Sequence, residues 1–134
     1  MLTGDIALSR YLAKARDVLD HGADLALAIV ERDALGGVIL AESVAGAEGT
    51  GAVTGLSVHP TRRRKGVATA LLTAACDRLR ARGTRLVIVE MPGDPALAPA
   101  LKLFLACRFT EAGRIRNFYR ERVDLIILER RLSR

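Results

Sequence analysis

Tryptophan is absent from this chain of 134 residues, and aromatic residues make up only 4% of it. Because half of the residues are hydrophobic, a folded core has to be built almost entirely from aliphatic side chains. No apolar run reaches the roughly 18 residues that a membrane-spanning helix needs. The start, Met-Leu-Thr-Gly-Asp, lacks the basic and apolar segments of a secretory signal. We therefore expect a cytoplasmic protein without a membrane partner.

Residues that bind metals or form disulfides are also scarce. The chain has two histidines and two cysteines, and Cys76 and Cys107 lie far apart in sequence. Their separation shows no spacing typical of metal ligands. The sequence therefore predicts no metal site and predicts that both cysteines are reduced packing residues.

Positive charge exceeds negative charge, with 21 Lys and Arg against 15 Asp and Glu and a net charge of +6. This surplus favours anionic partners, and nucleic acid, coenzyme phosphates and acidic proteins all qualify. The length of the chain is typical of a single domain with one core.

Residues 53–72 predict a strand, a basic loop and a helix in succession. The strand pattern ends at a proline, which cannot donate a hydrogen bond to a sheet. Apolar residues at helical spacing begin at Val67, and Gly83 is placed to end the helix in the left-handed conformation. Between strand and helix, Arg62 to Lys65 put four cations at a helix start, where the dipole favours anions. The free N–H groups beside Gly66 and these cations predict a site for a polyanion such as a phosphate.

Two segments of the chain resemble motifs of one protein family. Arg63-Arg64-Lys65-Gly66-Val67-Ala68 resembles the R/Q-x-x-G-x-G/A signature of the GNAT superfamily of N-acetyltransferases, whose loop binds the pyrophosphate of acetyl-coenzyme A (acetyl-CoA). Ala100 to Phe109 resembles the family's A-x-x-x-Y-x-x-x-G-F pattern, with Phe104 in place of its Tyr and Arg108 in place of its Gly. Because Arg lacks glycine's freedom, we expect a helix ending at Arg108 to avoid the left-handed conformation. The resemblance covers residues 25–132.

The resemblance implies an α/β (α+β) fold of GNAT type, in a single acetyltransferase domain over residues 1–134. Such a fold has a central mixed, mostly antiparallel sheet with two splayed parallel strands, flanked by helices. The sequence pattern itself predicts a helix at 5–19, strands at 25–31 and 37–45, a strand ending at Val58, a helix from Val67 to Arg82, a strand at 85–89, a short helix from Pro99 to Cys107, and strands at 110–118 and 123–131. The strand-helix-strand order makes the strands ending at Val58 and Val89 parallel neighbours.

The N-terminus departs from the family, which begins with a strand before its first helix. Nothing strand-like precedes Asp5 in this chain. The edge of the sheet is therefore either open or covered by a second chain, as in a homodimer.

By resemblance, acetyl-CoA is the cosubstrate, and its pantetheine arm pairs with one strand as an added strand. One main-chain N–H group of that strand also faces the thioester oxygen. The residues that the resemblance assigns to coenzyme binding are Leu56, Ser57, Val58, Arg63, Arg64, Lys65, Gly66, Val67, Ala68, Thr69 and Phe104.

Glu90 and Tyr119 are the candidate catalytic residues. Glu90 ends the buried strand and is the predicted general base, the alternative being a solvated or Arg-paired carboxylate. The family's Tyr, which protonates the departing thiolate, is replaced by Phe104. Since a thiol has a pKa near ~8.5, this loss slows the reaction without forbidding it. Tyr119 is a candidate substitute, and an aromatic gate or packing role is the alternative.

The leading hypothesis is an N-acetyltransferase that moves an acetyl group from acetyl-CoA to a primary amine of a small molecule, peptide or protein. The hairpin around Tyr119 is similar to that of members that acetylate protein N-termini. The alternative is a catalytically poor sensor or assembly subunit that binds CoA, indicated by Phe104 and Arg108. A nucleic-acid binder ranks last, because no aromatic residues are interleaved with the cations.

Overall fold

The computed structural model describes residues 15–17, 25–31, 34–60 and 66–132. Within these ranges the chain forms strands over most of its length. The strands are β1 (Ala15–Asp17), β2 (Leu25–Glu31), β3 (Ala34–Ser43), β4 (Thr50–Val58), β5 (Leu86–Pro92), β6 (Thr110–Arg120) and β7 (Val123–Arg131). The helices are α1 (Val67–Ala81), a 3-10 helix (Pro95–Leu97) and α2 (Ala98–Ala106).

The seven strands formed by the described residues join in one sheet, in the order β1-β2-β3-β4-β5-β7-β6. Neighbouring strands are antiparallel, except β4 and β5, which run parallel. Helix α1 connects these two strands, since a parallel pair requires a crossover connection. The predicted mixed, mostly antiparallel sheet with one parallel pair is confirmed.

Helix α1 packs on the sheet through an aliphatic stripe. Its buried residues are Val67, Ala70, Leu71, Leu72, Ala74, Ala75, Cys76 and Leu79. The helix ends as predicted at Gly83, which has a φ of 91°. The N–H of Gly83 donates to the C=O of Arg80 (3.0 Å), and the N–H of Thr84 donates to the C=O of Leu79 (2.9 Å). These two bonds form a Schellman motif.

Helix α2 ends in the same motif, with an arginine where α1 has glycine. The N–H of Arg108 donates to the C=O of Leu105 (3.3 Å), and that of Phe109 donates to the C=O of Phe104 (3.0 Å). The rings of Phe104 and Phe109 meet edge to face, with centroids 5.2 Å apart. Arg108 has a φ of 73°, so the expectation that it avoids the left-handed conformation is wrong. The two hydrogen bonds and the aromatic contact hold it there.

The N-terminal prediction also needs correction. The predicted helix at 5–19 lies mostly outside the described residues, but Ala15–Asp17 form β1 and pair antiparallel with Leu27–Ile29 of β2. Pairing with a sheet edge overrides the helical spacing in these three residues. The predicted open or partner-covered edge is therefore wrong along this part of β2, because β1 covers it.

The last hairpin forms as predicted, but its first strand is longer than predicted. The sequence predicts a strand at 110–118, whereas β6 continues to Arg120. The β6–β7 register breaks between Ile115 and Arg120, so residues 116–119 lie opposite Asp124 alone. The Asp124 carboxylate accepts a hydrogen bond from the N–H of Asn117 (3.0 Å). This contact stabilises a bulge inside the strand instead of a turn at its end.

Candidate functional site

Strands β4 and β5 separate soon after they pair. Their register covers only Thr50–Ala52 and Leu86–Ile88. The β3–β4 register shifts between Leu40 and Ala41, because Thr54 is an extra residue on β4. A bulge of this kind bends its strand and increases the local twist. A gap therefore opens between the two strands toward their carboxyl ends, as the resemblance implies.

The N-terminus of α1 lies at this gap. Gly66 precedes the helix in the left-handed conformation, with a φ of 82° and a ψ of 5°. The N–H of Ala70 donates to the C=O of Gly66 (3.0 Å), so the first-turn N–H groups before Ala70 have no acceptor within the helix. In the described first turn no residue is acidic, and Gly66 at the N-cap has no side chain that could accept a hydrogen bond from these N–H groups. These N–H groups are suited to bind an anion.

The end of β4 and the N-terminus of α1 line one cleft of about 670 Å³. The cleft brings together seven of the residues predicted to bind the coenzyme, from the end of β4 and the start of α1. They are Leu56, Ser57, Val58, Gly66, Val67, Ala68 and Thr69. The cations that are also predicted to bind the coenzyme, Arg63, Arg64 and Lys65, lie outside the described residues. They come immediately before Gly66 in sequence.

The opposite wall of the cleft comes from the 3-10 helix and α2. The sequence predicts α2 as a short helix from Pro99 to Cys107, but it predicts neither the 3-10 helix nor this wall. The wall is lined by Ala96, Leu97, Pro99, Ala100 and Leu103. Asp94 precedes this wall and accepts a hydrogen bond from the N–H of Ala96 through Oδ1 (2.9 Å). The Asp-Pro pair at residues 94–95 is a helix-start signal that could have placed the wall in advance.

Phe104, predicted to bind the coenzyme, is not among the residues that line the cleft. Its side chain is 5% exposed and packs against Phe109. On the same helix, Leu103 lines the cleft instead. The cleft wall at this position is therefore aliphatic.

Glu90 lies at the divergence of the two strands. Its neighbours on β5, Val89 and Met91, are buried in the helix-side core, whereas Glu90 is exposed. Because side chains alternate along a strand, Glu90 projects from the other face of the sheet. If the register of β4 and β5 is continued, Glu90 falls level with Thr54, the bulge residue. Its carboxylate therefore lies beside the gap, on the face opposite the helices.

Tyr119 lies on the β6 bulge and does not line the cleft. It is 45% exposed, and its neighbour Phe118 is 54% exposed. The two rings meet edge to face with centroids 5.0 Å apart. This pair is an exposed aromatic tip on the β6–β7 hairpin.

Asp94 and Asp124 are among the carboxylates around the hairpin whose pKa is lowered. The N–H of Ala96 and then the guanidinium of Arg120 lower the pKa of Asp94. The N–H of Asn117 and then the Arg114 side chain lower the pKa of Asp124. Both groups are therefore held as carboxylates that accept hydrogen bonds.

The two cysteines are free thiols. Burial raises the pKa of Cys76 and of Cys107, which disfavours their reactive thiolate forms. Cys76 belongs to the core, and Cys107 packs against it. Both positions agree with the predicted packing role.

The described residues lack two further features. None of these residues forms a group of three or more His, Cys, Asp or Glu side chains able to hold a metal ion. In the same parts of the chain, no helix is both long enough and apolar enough to cross a membrane.

Solved structures share this fold. A Desulfovibrio desulfuricans protein assigned to the GNAT acetyltransferases has a TM-score of 0.79 and 26% identity, covering 81% of this chain and 69% of its own. The ribosomal-protein-S18-alanine N-acetyltransferase of Escherichia coli has a TM-score of 0.73 and 21% identity, covering 96% and 88%. A Salmonella typhimurium protein assigned as an acetyltransferase, solved with its cofactor acetyl-CoA, has a TM-score of 0.71 and 19% identity, covering 82% and 65%.

Sequence comparison gives the family directly. No curated protein sequence matches the chain significantly. The model of the acetyltransferase (GNAT) family, however, matches residues 5–107. This match includes the β4 bulge, the start of α1 and every described residue that lines the cleft. The chain therefore belongs to the GNAT family of acetyltransferases, whose cosubstrate is acetyl-CoA.

Proposed function

We propose that the chain transfers the acetyl group of acetyl-CoA to a primary amine by direct attack in the gap between β4 and β5. One observation carries this proposal: the end of β4 and the N-terminus of α1 line the same cleft. A helix N-terminus can bind the diphosphate of the coenzyme, and a strand edge can bind its pantetheine arm. The two surfaces have to lie close together to bind one coenzyme molecule.

The diphosphate binds at the start of α1. The N–H groups of Val67, Ala68 and Thr69 supply hydrogen bonds, and the left-handed Gly66 leaves room in front of them. Among the described residues, a Cβ on Gly66 would meet no atom within 4 Å, so they leave this space open to a ligand. The cations Arg63, Arg64 and Lys65 directly precede it in sequence and add positive charge.

The pantetheine arm lies along Leu56, Ser57 and Val58. These residues line the cleft, and β4 turns away from β5 before reaching them. An extended ligand can hydrogen-bond to such a strand edge as an added strand. When bound, acetyl-CoA supplies the activated acetyl thioester. A main-chain N–H of this edge then stabilises the negative charge that develops on the carbonyl oxygen.

The amine approaches from the opposite face of the sheet, where Glu90 projects. Glu90 accepts the amine's proton, directly or through a water molecule. An α-amine has a pKa near ~7.7 to 8.0 and a lysine amine a pKa near ~10.4. A single exposed carboxylate is better matched to the α-amine, which needs less help to become neutral. We therefore place the N-terminal α-amine of a polypeptide first among the acceptors.

We assign Tyr119 to the acceptor side of the site and not to proton transfer. It lies outside the cleft lining, and its ring meets that of Phe118 edge to face. The departing thiolate leaves without a tyrosine acid, because its conjugate thiol has a pKa near ~8.5. Tyr119→Phe is accordingly expected to leave kcat nearly unchanged.

The test is acetyl transfer from acetyl-CoA, measured by thiol release, to a panel of amines. The panel contains a peptide with a free α-amine and an N-acetylated form of the peptide that offers one lysine amine instead. Spermidine and an aminoglycoside complete it. We expect turnover with at least one amine, and the highest kcat/KM with the free α-amine. Coenzyme binding without turnover on a broad panel would argue instead for the CoA-binding module.

A further inference from the structure

One ion pair links the β6–β7 hairpin to the wall of the coenzyme cleft. Arg120 donates through Nη2 to Oδ2 of Asp94 at 2.9 Å. The other carboxylate oxygen of Asp94 accepts the N–H of Ala96, and Ala96 and Leu97 line the cleft. A single carboxylate therefore contacts both the hairpin and the cleft wall.

Arg120, the hairpin residue of this ion pair, lies beside the aromatic tip formed by Phe118 and Tyr119. Arg120 follows Tyr119 directly and resumes the regular pairing with β7. The bulge before it is fixed by Asn117, which has a φ of 54°. The N–H of Asn117 donates to Asp124, and its side-chain oxygen accepts the N–H of Arg122 (2.8 Å). Because these contacts hold the bulge in one geometry, a displacement at Arg120 moves the tip with it.

We propose that Asp94 and Arg120 are positioning residues that couple occupancy of the coenzyme cleft to the position of the aromatic tip. Coenzyme bound against Ala96 and Leu97 fixes the 3-10 helix, Asp94 transmits that position to Arg120, and the tip is set where the acceptor enters. The inference rests on the proposed function only in placing the coenzyme in this cleft and the acceptor at the hairpin.

The solvent exposure of the Asp94 and Arg120 side chains limits how strongly their ion pair can couple the cleft to the aromatic tip. The Arg120 side chain is 66% exposed and that of Asp94 is 28% exposed, and ion pairs of this kind contribute little. We expect loss of the pair to weaken coenzyme A binding by a factor of up to about five. High salt should reduce the effect, because exposed charges are screened.

The local role of Asp94 as a helix cap has to be separated from the coupling. Asp94→Asn keeps an oxygen for the N–H of Ala96 but removes the charge that binds Arg120. Arg120→Gln removes the same pair from the other side and leaves the cap intact. If the ion pair matters, both variants and their double mutant have the same effect, since each removes one shared interaction. Arg122→Gln is the control, because it removes an equal charge from the same turn.

The chain has no tryptophan, so Phe118→Trp creates a single emission reporter at the tip. Coenzyme A is titrated to saturation into the Phe118→Trp protein. The same titration is made with proteins that carry Phe118→Trp together with Asp94→Asn, Arg120→Gln, Arg120→Lys or Arg122→Gln. Calorimetry measures binding separately from emission, and circular dichroism checks the fold of each protein. We expect coenzyme A to change the emission of the reporter and of its Arg122→Gln form. Arg120→Gln and Asp94→Asn should reduce the change by at least about half, and Arg120→Lys should restore part of it.

The outcomes separate the two claims. If calorimetry detects binding but the emission change is missing, or is undiminished by Arg120→Gln and Asp94→Asn, the coupling is overturned and the coenzyme site stands. If calorimetry detects no coenzyme A binding to the unsubstituted protein, the site itself is overturned, and the coupling with it.

Discussion

Gly66 and Gly83 flank the two ends of α1 in the same backbone conformation. Their φ angles are 82° and 91°, and a Cβ on either would meet no atom of the described residues within 4 Å. An alanine at either position therefore suffers similar left-handed strain, on the order of 1 kcal/mol. Only Gly66 adjoins the cleft, which makes Gly83 its natural control.

Gly66→Ala is expected to weaken coenzyme A binding about tenfold or more, because the new methyl group occupies space that the diphosphate needs. Gly83→Ala should reduce the free energy of unfolding by about as much as Gly66→Ala does, because the strain is similar at both positions. It should leave coenzyme affinity unchanged. Calorimetric titration and urea unfolding of both variants measure the two quantities. Equal coenzyme affinity in the two variants would contradict the assignment of the α1 N-terminus.

Arg108 is held left-handed at a position where α1 uses glycine. Arg108→Gly is therefore expected to raise the free energy of unfolding by about 0.5 to 1 kcal/mol, because glycine adopts this conformation without strain. Gly83→Arg, the reverse change in the equivalent motif of α1, should lower it. Urea unfolding measures both, and a destabilised Arg108→Gly would show that the arginine side chain makes a stabilising contact.

Glu90→Gln is expected to reduce kcat/KM for an accepted α-amine peptide most strongly at low pH. There the amine is largely protonated and depends most on a base, whereas at high pH it is already neutral. Glu129→Gln is the control, since Glu129 pairs with Ile88 on the same sheet face as Glu90. A parallel shift of the whole pH profile, equal in the two variants, would remove Glu90 from catalysis.

At the scale of elements, our proposal places the coenzyme beside the bulge in β4. Thr54 is the extra residue of this bulge, two positions after Ala52, the last residue that pairs with β5. A bulge between Glu111 and Gly113 also interrupts β6, apart from the one at residues 116–119, and it contributes no residue to the cleft. The two bulges therefore allow a matched pair of single-residue deletions.

Deletion of Thr54 is expected to restore regular pairing with β3, narrow the gap and weaken coenzyme A binding at least about tenfold, or ~1.4 kcal/mol. Deletion of Ala112 should leave that affinity within about twofold. Calorimetry reports the affinities, and circular dichroism confirms that both proteins fold. Undiminished binding after deletion of Thr54 would show that the bulge is not needed to open the site.

Helix α1, the parallel pair and the last hairpin could be predicted from sequence, because their signals are local. Apolar spacing, Gly83 and the strand-helix-strand order specify them without knowledge of distant contacts. The strand β1 could not be predicted, since its three residues depend on pairing with β2. The same is true of the left-handed Arg108, which is held by hydrogen bonds and by the contact of two rings.

The candidate site shows the same division. The main-chain part predicted at Leu56–Val58 and Gly66–Thr69 follows a motif, and these residues line one cleft. The facing wall was missed because its residues are small or aliphatic and carry no chemical signal. Likewise, the Asp94–Arg120 pair joins residues 26 positions apart, so only the folded chain brings them together.

At the scale of the whole molecule, the sheet separates two approaches to one gap. The cleft lies on the side of the helices, and Glu90 projects from the opposite face. Donor and acceptor can therefore enter from different sides and meet where β4 and β5 diverge. The net charge of +6 favours the coenzyme's phosphates over a polycationic acceptor. Since β1 covers part of the β2 edge, an open edge no longer argues for a homodimer there.

The most direct test of this account is a nuclear magnetic resonance titration of the isotope-labelled protein with coenzyme A, following every main-chain amide. We predict that the largest shifts occur at Gly66–Thr69 and Leu56–Val58, with none at Gly83 beyond the far end of α1. Saturable binding whose shifts leave both of these segments unchanged would contradict the account.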